Sequence, residues 1–293
     1  MEQVKFKKLR RLKLKTERLV DTIFFGEYPS AFKGRGIEFS EVRRYSEGDD
    51  VRLIDWNVTS RMLEPYVRQY LEERELNVYL LLDVSPSQDF GSAYKLKRDI
   101  ALEFCATIAH MALKHNDKVG LIMFTDAIEG AVPPGKGKKQ LMRIMDAVLS
   151  CPPNGKGSLP TAAFKHLATV SKHRAVVFIV SDLLTDEDFA RPLRILNKMH
   201  DVIVARIIDG REYDLPPVGL VEIEDPESGE IFTIDTSDKY TMNLYHTALR
   251  RYDERLRKTI SSAGVDYMEI DARKGYIKPL LKFLRSRERK RRR

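Results

Sequence analysis

Short, continuous apolar runs, each ending in polar residues, constrain the fold of this chain more than any other feature of the sequence. Runs of this length without polar alternation are typical of strands buried on both faces, as in parallel sheets. The strands predicted in this way are 77–83, 118–124, 175–182, 201–209 and 265–270. The run 128–134 ends in two prolines, which favours an antiparallel strand at the edge of the sheet.

Helical patterns separate these runs. The predicted helices are 94–114, 138–150, 161–171, 240–263 and one from 277 into the C-terminal end. A further helix is predicted to begin after Thr185, which is a good N-cap, with residues 186–188 in its first turn. Alternation of strands and helices predicts an α/β fold: a doubly wound, mostly parallel sheet with right-handed crossovers and helices on both faces.

Composition divides the chain into three parts. Residues 1–76 comprise a basic arm and a charged segment that we expect to pack on the main domain. The arm fits either a strand or a short amphipathic helix, and the charged segment is expected to be partly extended. The main domain spans 77–285 and carries a hairpin insertion at about 218–236, and 286–293 form a basic tail.

The net charge of +8 is concentrated at the two ends of the chain. Residues 1–18 carry +6 and residues 282–293 carry +7, so the remainder sums to −5. Such ends either bind an anionic membrane surface, a nucleic acid or an acidic protein, or they remain solvated. Aromatic residues hardly interleave with these charges, which disfavours nucleic acid. No run approaches the ~20 apolar residues of a membrane span, so we expect a cytoplasmic protein, at most peripheral at the membrane.

Small oxygen-bearing side chains follow the predicted strands where these end. Asp83-Val84-Ser85-Pro86-Ser87 follows the first strand, Asp182 follows a later strand, and Thr161 begins a helix between them. Doubly wound sheets bind ligands at this edge, where the strand order reverses. Carboxylate and hydroxyl oxygens suit Mg²⁺, Mn²⁺ or Ca²⁺ rather than zinc or copper. The alternative is that the hydroxyls are ordinary turn and helix-cap residues.

The D-x-S-x-S segment, with its distant threonine and aspartate, resembles the metal-ion-dependent adhesion site of von Willebrand factor A domains. The segment GRGIEFSEVRRYSEGDDVRLIDWNVTSR, residues 34–61, resembles the signature of the bacterial family called domain of unknown function 58. The resemblance covers roughly residues 10–285. It implies a von Willebrand factor A-like fold and a bound divalent cation, with Mg²⁺ and Mn²⁺ as the first candidates and Ca²⁺ as a further one. The five metal-site roles fall by resemblance on Asp83, Ser85, Ser87, Thr161 and Asp182, and Pro86 departs from the pattern by stiffening the loop.

The signature segment is too highly charged for a core. One interpretation is an ion-paired structural lid on the sheet, anchored by Trp56, and the other is a partner-docking surface. Its signature residues include Arg43, Tyr45, Gly48, Asp49, Arg52, Asp55, Trp56 and Arg61.

The resemblance implies a metal-dependent protein–protein interaction module, an adaptor or chaperone-like partner of a MoxR-type AAA+ ATPase. The residues themselves also favour binding over catalysis. No histidine lies in a neighbouring strand-end loop, where it would activate Ser85 or Ser87 as a nucleophile. We therefore expect no enzymatic activity and no small-molecule substrate. The alternatives are a metal-dependent hydrolase with Asp126 or Asp89 as base, and a peripheral membrane or nucleic-acid binder that uses the basic ends.

Overall fold

The computed structural model describes residues 2–24, 27–32, 39–62, 64–70, 75–93 and 95–292. The helices are α1 (Glu2–Thr22), α2 (Glu27–Phe32), α3 (Trp56–Met62), α4 (Lys97–Lys114), α5 (Gly137–Ser150), α6 (Pro160–Val170), α7 (Ala190–Met199), α8 (Gly210–Tyr213), α9 (Lys239–Ser262) and α10 (Ile277–Arg292). The strands are β1 (Phe39–Arg44), β2 (Tyr66–Tyr70), β3 (Asn77–Asp83), β4 (Lys118–Phe124), β5 (Ile128–Gly135), β6 (Val176–Ser181), β7 (Asp201–Ile208), β8 (Leu220–Glu224), β9 (Ile231–Asp235) and β10 (Asp266–Asp271). Across these described ranges, no helix combines the length and the apolar character that a membrane crossing requires.

A six-stranded sheet in the order β10-β7-β6-β3-β4-β5 forms the centre of the molecule. Five of its strands are parallel, and β5 pairs antiparallel with β4 at one edge. Counted from β5 and within this sheet alone, the order is 3-2-1-4-5-6, which is the doubly wound arrangement. The order reverses between β3 and β6. The predicted fold class and its antiparallel edge strand are therefore confirmed.

Apolar side chains cover both faces of the sheet. In β3, Val78, Leu80 and Leu82 pack with α1, α4, α5 and α10, whereas Tyr79 and Leu81 pack with α6, α7 and α9 on the other face. Successive side chains of a strand point to opposite faces, so burial of both faces requires a continuous apolar run. Truncating such a buried leucine to alanine costs about 2–5 kcal/mol. This packing makes the sheet a rigid support for the polar residues at its carboxyl edge.

The N-terminal arm is a helix, not a strand. Leu9, Leu12 and Val20 are buried at helical spacing and form one stripe of α1 that packs against α4. On the flank of this stripe, the Lys15 ammonium lies 2.7 Å from the Glu103 carboxylate. The basic residues of the arm thus lie on the outer side of an amphipathic helix.

The predicted basic tail continues α10 as far as Arg292. The Arg287 guanidinium lies 5.0 Å from the ring centroid of Phe32 in α2 and pairs with Asp201 and Asp266. The Lys290 ammonium lies 2.9 Å from Asp266. One side of the tail is therefore packed against the sheet edge.

The charged segment forms a small antiparallel pair of its own, β1 with β2. Arg43 donates two hydrogen bonds of 2.7 and 2.6 Å to the Asp49 carboxylate. Asp55 is buried and accepts the N–H of Asn57 at the start of α3 (3.0 Å). Trp56 is 69% exposed, so the prediction that it anchors the segment is wrong. The inward position belongs to Asp55, because its carboxylate caps α3.

The other signature residues lie in turns and on the surface of the segment. The Tyr45 N–H donates to the carbonyl oxygen of Pro65 (2.8 Å). Gly48 has φ +103°, a conformation that favours glycine. Arg52 and Arg61 are exposed, as is Trp56, which favours the docking interpretation over the lid. Positions 34–38 and 71–74 of the segment lie outside the described residues.

The loop after β6 departs from prediction. Thr185 does not cap a helix, because α7 begins only at Ala190. The Thr185 hydroxyl accepts the N–H of Glu187 (3.2 Å), and the Thr185 N–H donates to the hydroxyl of Tyr252 in α9 (3.2 Å). The local sequence after Thr185 favours a helix, but tertiary contacts hold this stretch as a loop.

Candidate metal centre

The five predicted ligands lie at the carboxyl edge of the sheet, on both sides of the point where the strand order reverses. Asp83 ends β3, Ser85 and Ser87 follow it in a short 3-10 turn, Asp182 follows β6, and Thr161 is the second residue of α6. All five are at least nine-tenths buried. This placement follows from the parallel sheet, which brings the ends of β3 and β6 side by side.

The two serines of the D-x-S-x-S segment face each other. Their hydroxyl oxygens lie 3.0 Å apart, and the Asp83 carboxylate accepts the N–H of Ser85 (2.9 Å). Pro86 opens the 3-10 turn, and the N–H of Gln88 closes it on the carbonyl oxygen of Ser85 (3.0 Å). The turn therefore directs both hydroxyls to the same point beside the aspartate.

Asp83 is surrounded by neutral donors. Its second carboxylate oxygen accepts the hydroxyls of Ser158 (2.7 Å) and Ser181 (2.6 Å). Burial and, after it, the charge of Asp182 raise the pKa of Asp83 to about 6, although these hydrogen bonds oppose the shift. A buried carboxylate in this environment favours a nearby positive charge. Ser158 also ties the loop before Thr161 to Asp83.

Thr161 has a carboxylate partner that the sequence did not suggest. Its hydroxyl donates to Glu187, and its backbone N–H donates to the other oxygen of the same carboxylate (3.2 Å). Glu187 was expected in the first turn of a helix and lies in the loop before α7 instead. A hydroxyl that donates its proton to Glu187 keeps its lone pairs available for a cation.

Asp182 already has a cation beside it. The Lys97 ammonium, fully buried, lies 2.8 Å from Asp182 and 2.5 Å from Glu212. Burial alone lowers the pKa of Lys97, but the charges of Asp182 and Glu212 outweigh it and raise the pKa overall. The second oxygen of Asp182 accepts the N–H of Leu184 (3.2 Å). Of the five predicted ligands, Asp182 is thus the one whose charge a lysine of the protein compensates.

A further carboxylate comes from the β8–β9 hairpin. Burial, followed by the negative charges of Asp182 and Asp83, raises the pKa of Glu227 to about 7. The sequence predicted the hairpin but assigned no role to this residue. The one signal in the sequence was an acidic residue in the predicted turn.

The chemistry of these donors fits a hard divalent cation. Within the ranges that the structure describes, no group of three or more His, Cys, Asp or Glu side chains is arranged to hold a metal. Any ion here would therefore depend on hydroxyl oxygens as well as carboxylates, a donor set suited to Mg²⁺, Mn²⁺ or Ca²⁺. The raised pKa of Asp83 agrees, because burial and the charge of Asp182 outweigh the hydrogen bonds from its neutral donors.

Fold and site together define a doubly wound α/β domain with an oxygen-rich cluster where its strand order reverses. The chain belongs to the DUF58 family, whose model, described as a protein of unknown function, matches residues 41–255. An uncharacterized protein of Mycobacterium tuberculosis is 30% identical to it over 286 residues, which are 96% of this chain and 89% of the relative. The predicted family resemblance is thus confirmed.

Solved structures with a similar fold are more distant. BatB from Bacteroides thetaiotaomicron, a conserved hypothetical protein, has a TM-score of 0.49 and 13% identity and covers 73% of this chain and 99% of its own. The SpRpn10 VWA domain has a TM-score of 0.36 and 12% identity and covers 46% of this chain and 76% of its own. At these distances neither similarity carries a functional argument.

Proposed function

We propose that the protein is a metal-dependent protein–protein interaction module. Asp83, Ser85, Ser87, Thr161 and Asp182 would hold Mg²⁺ or Mn²⁺, with Ca²⁺ as a further candidate. The observation that carries this proposal is Asp83 itself, buried among hydroxyls with its pKa raised. In the described part of the chain, its hydrogen-bond donors are serine hydroxyls and one backbone N–H.

The bound ion would supply a positive charge that accepts a carboxylate from a protein partner. The chain's own residues would hold the ion and orient its ligands. The 3-10 turn directs the hydroxyls of Ser85 and Ser87 to one point. Hydrogen bonds from Ser158 and Ser181 fix the Asp83 carboxylate, and Glu187 fixes the Thr161 hydroxyl. Since three of the five ligand residues are neutral hydroxyls, the ion would remain electrophilic and would accept a carboxylate at an open coordination position.

A MoxR-type AAA+ ATPase is the partner that we propose. Membership of the DUF58 family supports it, since the sequence resemblance from which we inferred this partner is to that family. The exposed Arg52, Trp56 and Arg61 of the charged segment offer a second contact surface for the same partner.

A binding role fits this site better than hydrolysis. Asp89, one of the two candidate bases, is exposed and lies 2.7 Å from the Arg98 guanidinium, which neutralises it. Asp126, the other candidate, is exposed and accepts the Thr125 hydroxyl (3.1 Å). Both candidate bases are thus surface carboxylates that neighbouring side chains already engage.

Calorimetric titration tests the metal site. Mg²⁺ or Mn²⁺ added to the wild-type protein should give a saturable heat that Asp83→Ala abolishes and that Glu47→Gln, an exposed carboxylate of the charged segment, retains. The ATPase partner is tested by capture on the immobilised full chain in Mg²⁺ and in chelator. Absence of heat with the wild type would refute the metal site, and equal capture in both buffers would refute its role in binding.

The exposed face of α10 favours a second candidate role, binding of an anionic membrane. Lys278, Lys282, Arg285 and Arg289 are exposed at i, i+4, i+7 and i+11 and form one basic stripe. Charge reversal by Lys282→Glu with Arg289→Glu should abolish co-sedimentation with vesicles that contain an anionic lipid. Truncation is a poorer test because Leu284 is buried. Co-sedimentation unaffected by the charge reversal would leave the stripe as solvated charge.

A further inference from the structure

A cavity of about 800 Å³ lies beside the carboxyl end of β3, between the sheet and the helices that cover it. Its wall is largely apolar and comes from β3, α4 and α5, with Leu82, Ala101, Leu102, Val148 and Leu149. The half-buried Cys151, which follows α5, also lines it. This volume and this lining are typical of a site for one small molecule.

One polar side chain of the cavity wall is buried and unpaired. Gln88 lines the cavity and is 1% exposed. Within the ranges that the structure describes, neither Nε2 nor Oε1 of its carboxamide has a hydrogen-bond partner. A buried carboxamide without partners is costly, and it presents donors and an acceptor side by side. Its complement is a group with an acceptor beside a donor, such as a lactam or another cis amide.

The charged residues around the cavity favour a neutral ligand. The Lys8 ammonium lies 2.9 Å from the Asp99 carboxylate. The Arg98 guanidinium lies 2.7 Å from the Asp89 carboxylate. Asp83 also borders the cavity, and serine hydroxyls already donate to its carboxylate. Because each of the two cations has a carboxylate beside it, the lining does not select an ion of either sign.

We propose that this cavity binds a neutral, largely apolar small molecule that carries a lactam or another cis amide. The ligand's N–H donates to Oε1 of Gln88, and its carbonyl oxygen accepts a hydrogen bond from Nε2. The backbone N–H of Gln88 closes the 3-10 turn on the carbonyl oxygen of Ser85 (3.0 Å), so the ligand lies directly behind the turn of the candidate metal centre. Binding at the cavity requires no ion at that turn and is independent of the proposed function.

Calorimetric titration of the full chain in chelator tests this assignment. The probe is the cyclic dipeptide of leucine and phenylalanine, which has two lactam groups, and its N-methylated form is the chemical control. The wild type should bind the probe saturably and the N-methylated form about tenfold more weakly, an order-of-magnitude figure for the lost hydrogen bond. Gln88→Leu should bind both compounds equally weakly. Bound probe should also slow alkylation of Cys151 by iodoacetamide, whereas Cys105 is fully buried and should not react.

Gln140→Leu is the matched control, because the buried Gln140 carboxamide donates to the carbonyl oxygens of Val119 and Pro133 (2.8 Å each). Chemical denaturation should show a loss of stability for Gln140→Leu and none for Gln88→Leu, since only the former breaks hydrogen bonds. Gln140→Leu should still distinguish the two compounds.

Three results would overturn the assignment. The first is absence of saturable binding of the probe by the wild type. The second is undiminished discrimination by Gln88→Leu or unchanged alkylation of Cys151, either of which would place the probe elsewhere. The third is a loss of stability in Gln88→Leu equal to that in Gln140→Leu, which would show that the Gln88 carboxamide serves the fold. Because chelator is present throughout, none of these results bears on the metal site.

Discussion

Two groups of buried carboxylates lie side by side at the same edge of the sheet and differ in what compensates them. In the lysine cluster, formed by Lys97, Asp182 and Glu212, the protein supplies the cation. In the hydroxyl cluster, formed by Asp83 with the hydroxyls of Ser85, Ser87, Ser158 and Ser181, the donors are neutral. The comparison teaches that the fold itself compensates the charge of one group, whereas the proposed metal site is the group whose donors are neutral.

This difference is visible in the protonation of the two groups. Lys97 is held in its charged form because two carboxylates outweigh its burial. Asp83 has its pKa raised to about 6 by burial and by Asp182, so it is still mostly ionised at pH 7. Each pKa unit corresponds to about 1.4 kcal/mol between the two protonation states. The hydroxyl cluster therefore carries a charge that its own hydrogen bonds only partly stabilise.

The largest effect is expected from Lys97→Met, which removes the built-in cation. The substitution leaves Asp182 and Glu212 buried without it and should lower the free energy of unfolding by about 3–5 kcal/mol. Chemical denaturation measures this loss. Lys95→Met, at a half-exposed lysine two residues away, is the matched control and should cost at most about 1 kcal/mol. Equal losses for the two variants would remove the distinction between the clusters.

The next effect concerns stabilisation by added metal. With Mg²⁺ or Mn²⁺ at 100 times its dissociation constant, the wild type should gain about 2.7 kcal/mol of unfolding free energy. Asp83→Ala should gain none, since the hydroxyl cluster loses its carboxylate. Thermal melts with increasing metal concentration measure this gain. Stabilisation of Asp83→Ala equal to that of the wild type would place the ion elsewhere.

A smaller effect on the free energy of unfolding is expected at Asp209, which is buried but whose charge is stabilised by hydrogen bonds. Burial acts to raise its pKa, but hydrogen bonds from the N–H and hydroxyl of Ser92 and the N–H of Arg211 lower it overall. A lowered pKa contributes stability that is present above the ordinary value of 3.8 and lost as the pH falls below it. Asp209→Asn should therefore cost about 1–2 kcal/mol at pH 7, and urea denaturation at decreasing pH should show the gap to the wild type narrowing as the pH falls below about 4.

The smallest effect is expected in the charged segment, where Arg43 and Asp49 form an ion pair close to solvent. Exposed pairs of this kind are strongly screened, so Arg43→Gln should leave the melting temperature unchanged within error. A clear loss of stability would show that the segment is structural, contrary to the docking interpretation. Capture of the partner by the same variant tests that interpretation directly.

The sequence predicted the sheet well because burial on both faces leaves a continuous apolar run in each strand, as in β3. It also placed Asp83, Ser85, Ser87, Thr161 and Asp182 at one edge, because strand ends determine that edge. Whether these residues bind metal remains a prediction.

The sequence did not reveal residues that reach the edge from distant elements. Lys97 in the first turn of α4 looks like an exposed helical lysine, and Glu187 and Glu227 look like surface acids. Their burial depends on tertiary packing, which periodicity does not encode. The Thr185 prediction was wrong for the same reason, since the contact of its backbone with Tyr252 in α9 overrode the local preference for a helix.

Helices α1 and α10 both cover the same face of the sheet, and they carry the two basic ends of the chain. The molecule is therefore electrically polarised across its sheet, with positive charge outside one layer of helices and a net negative body behind it. A charge distribution of this kind orients diffusional encounters. On an anionic surface, the chain would turn that layer towards the charge, and the hydroxyl cluster, at the rim of the sheet, would then lie alongside the surface rather than against it.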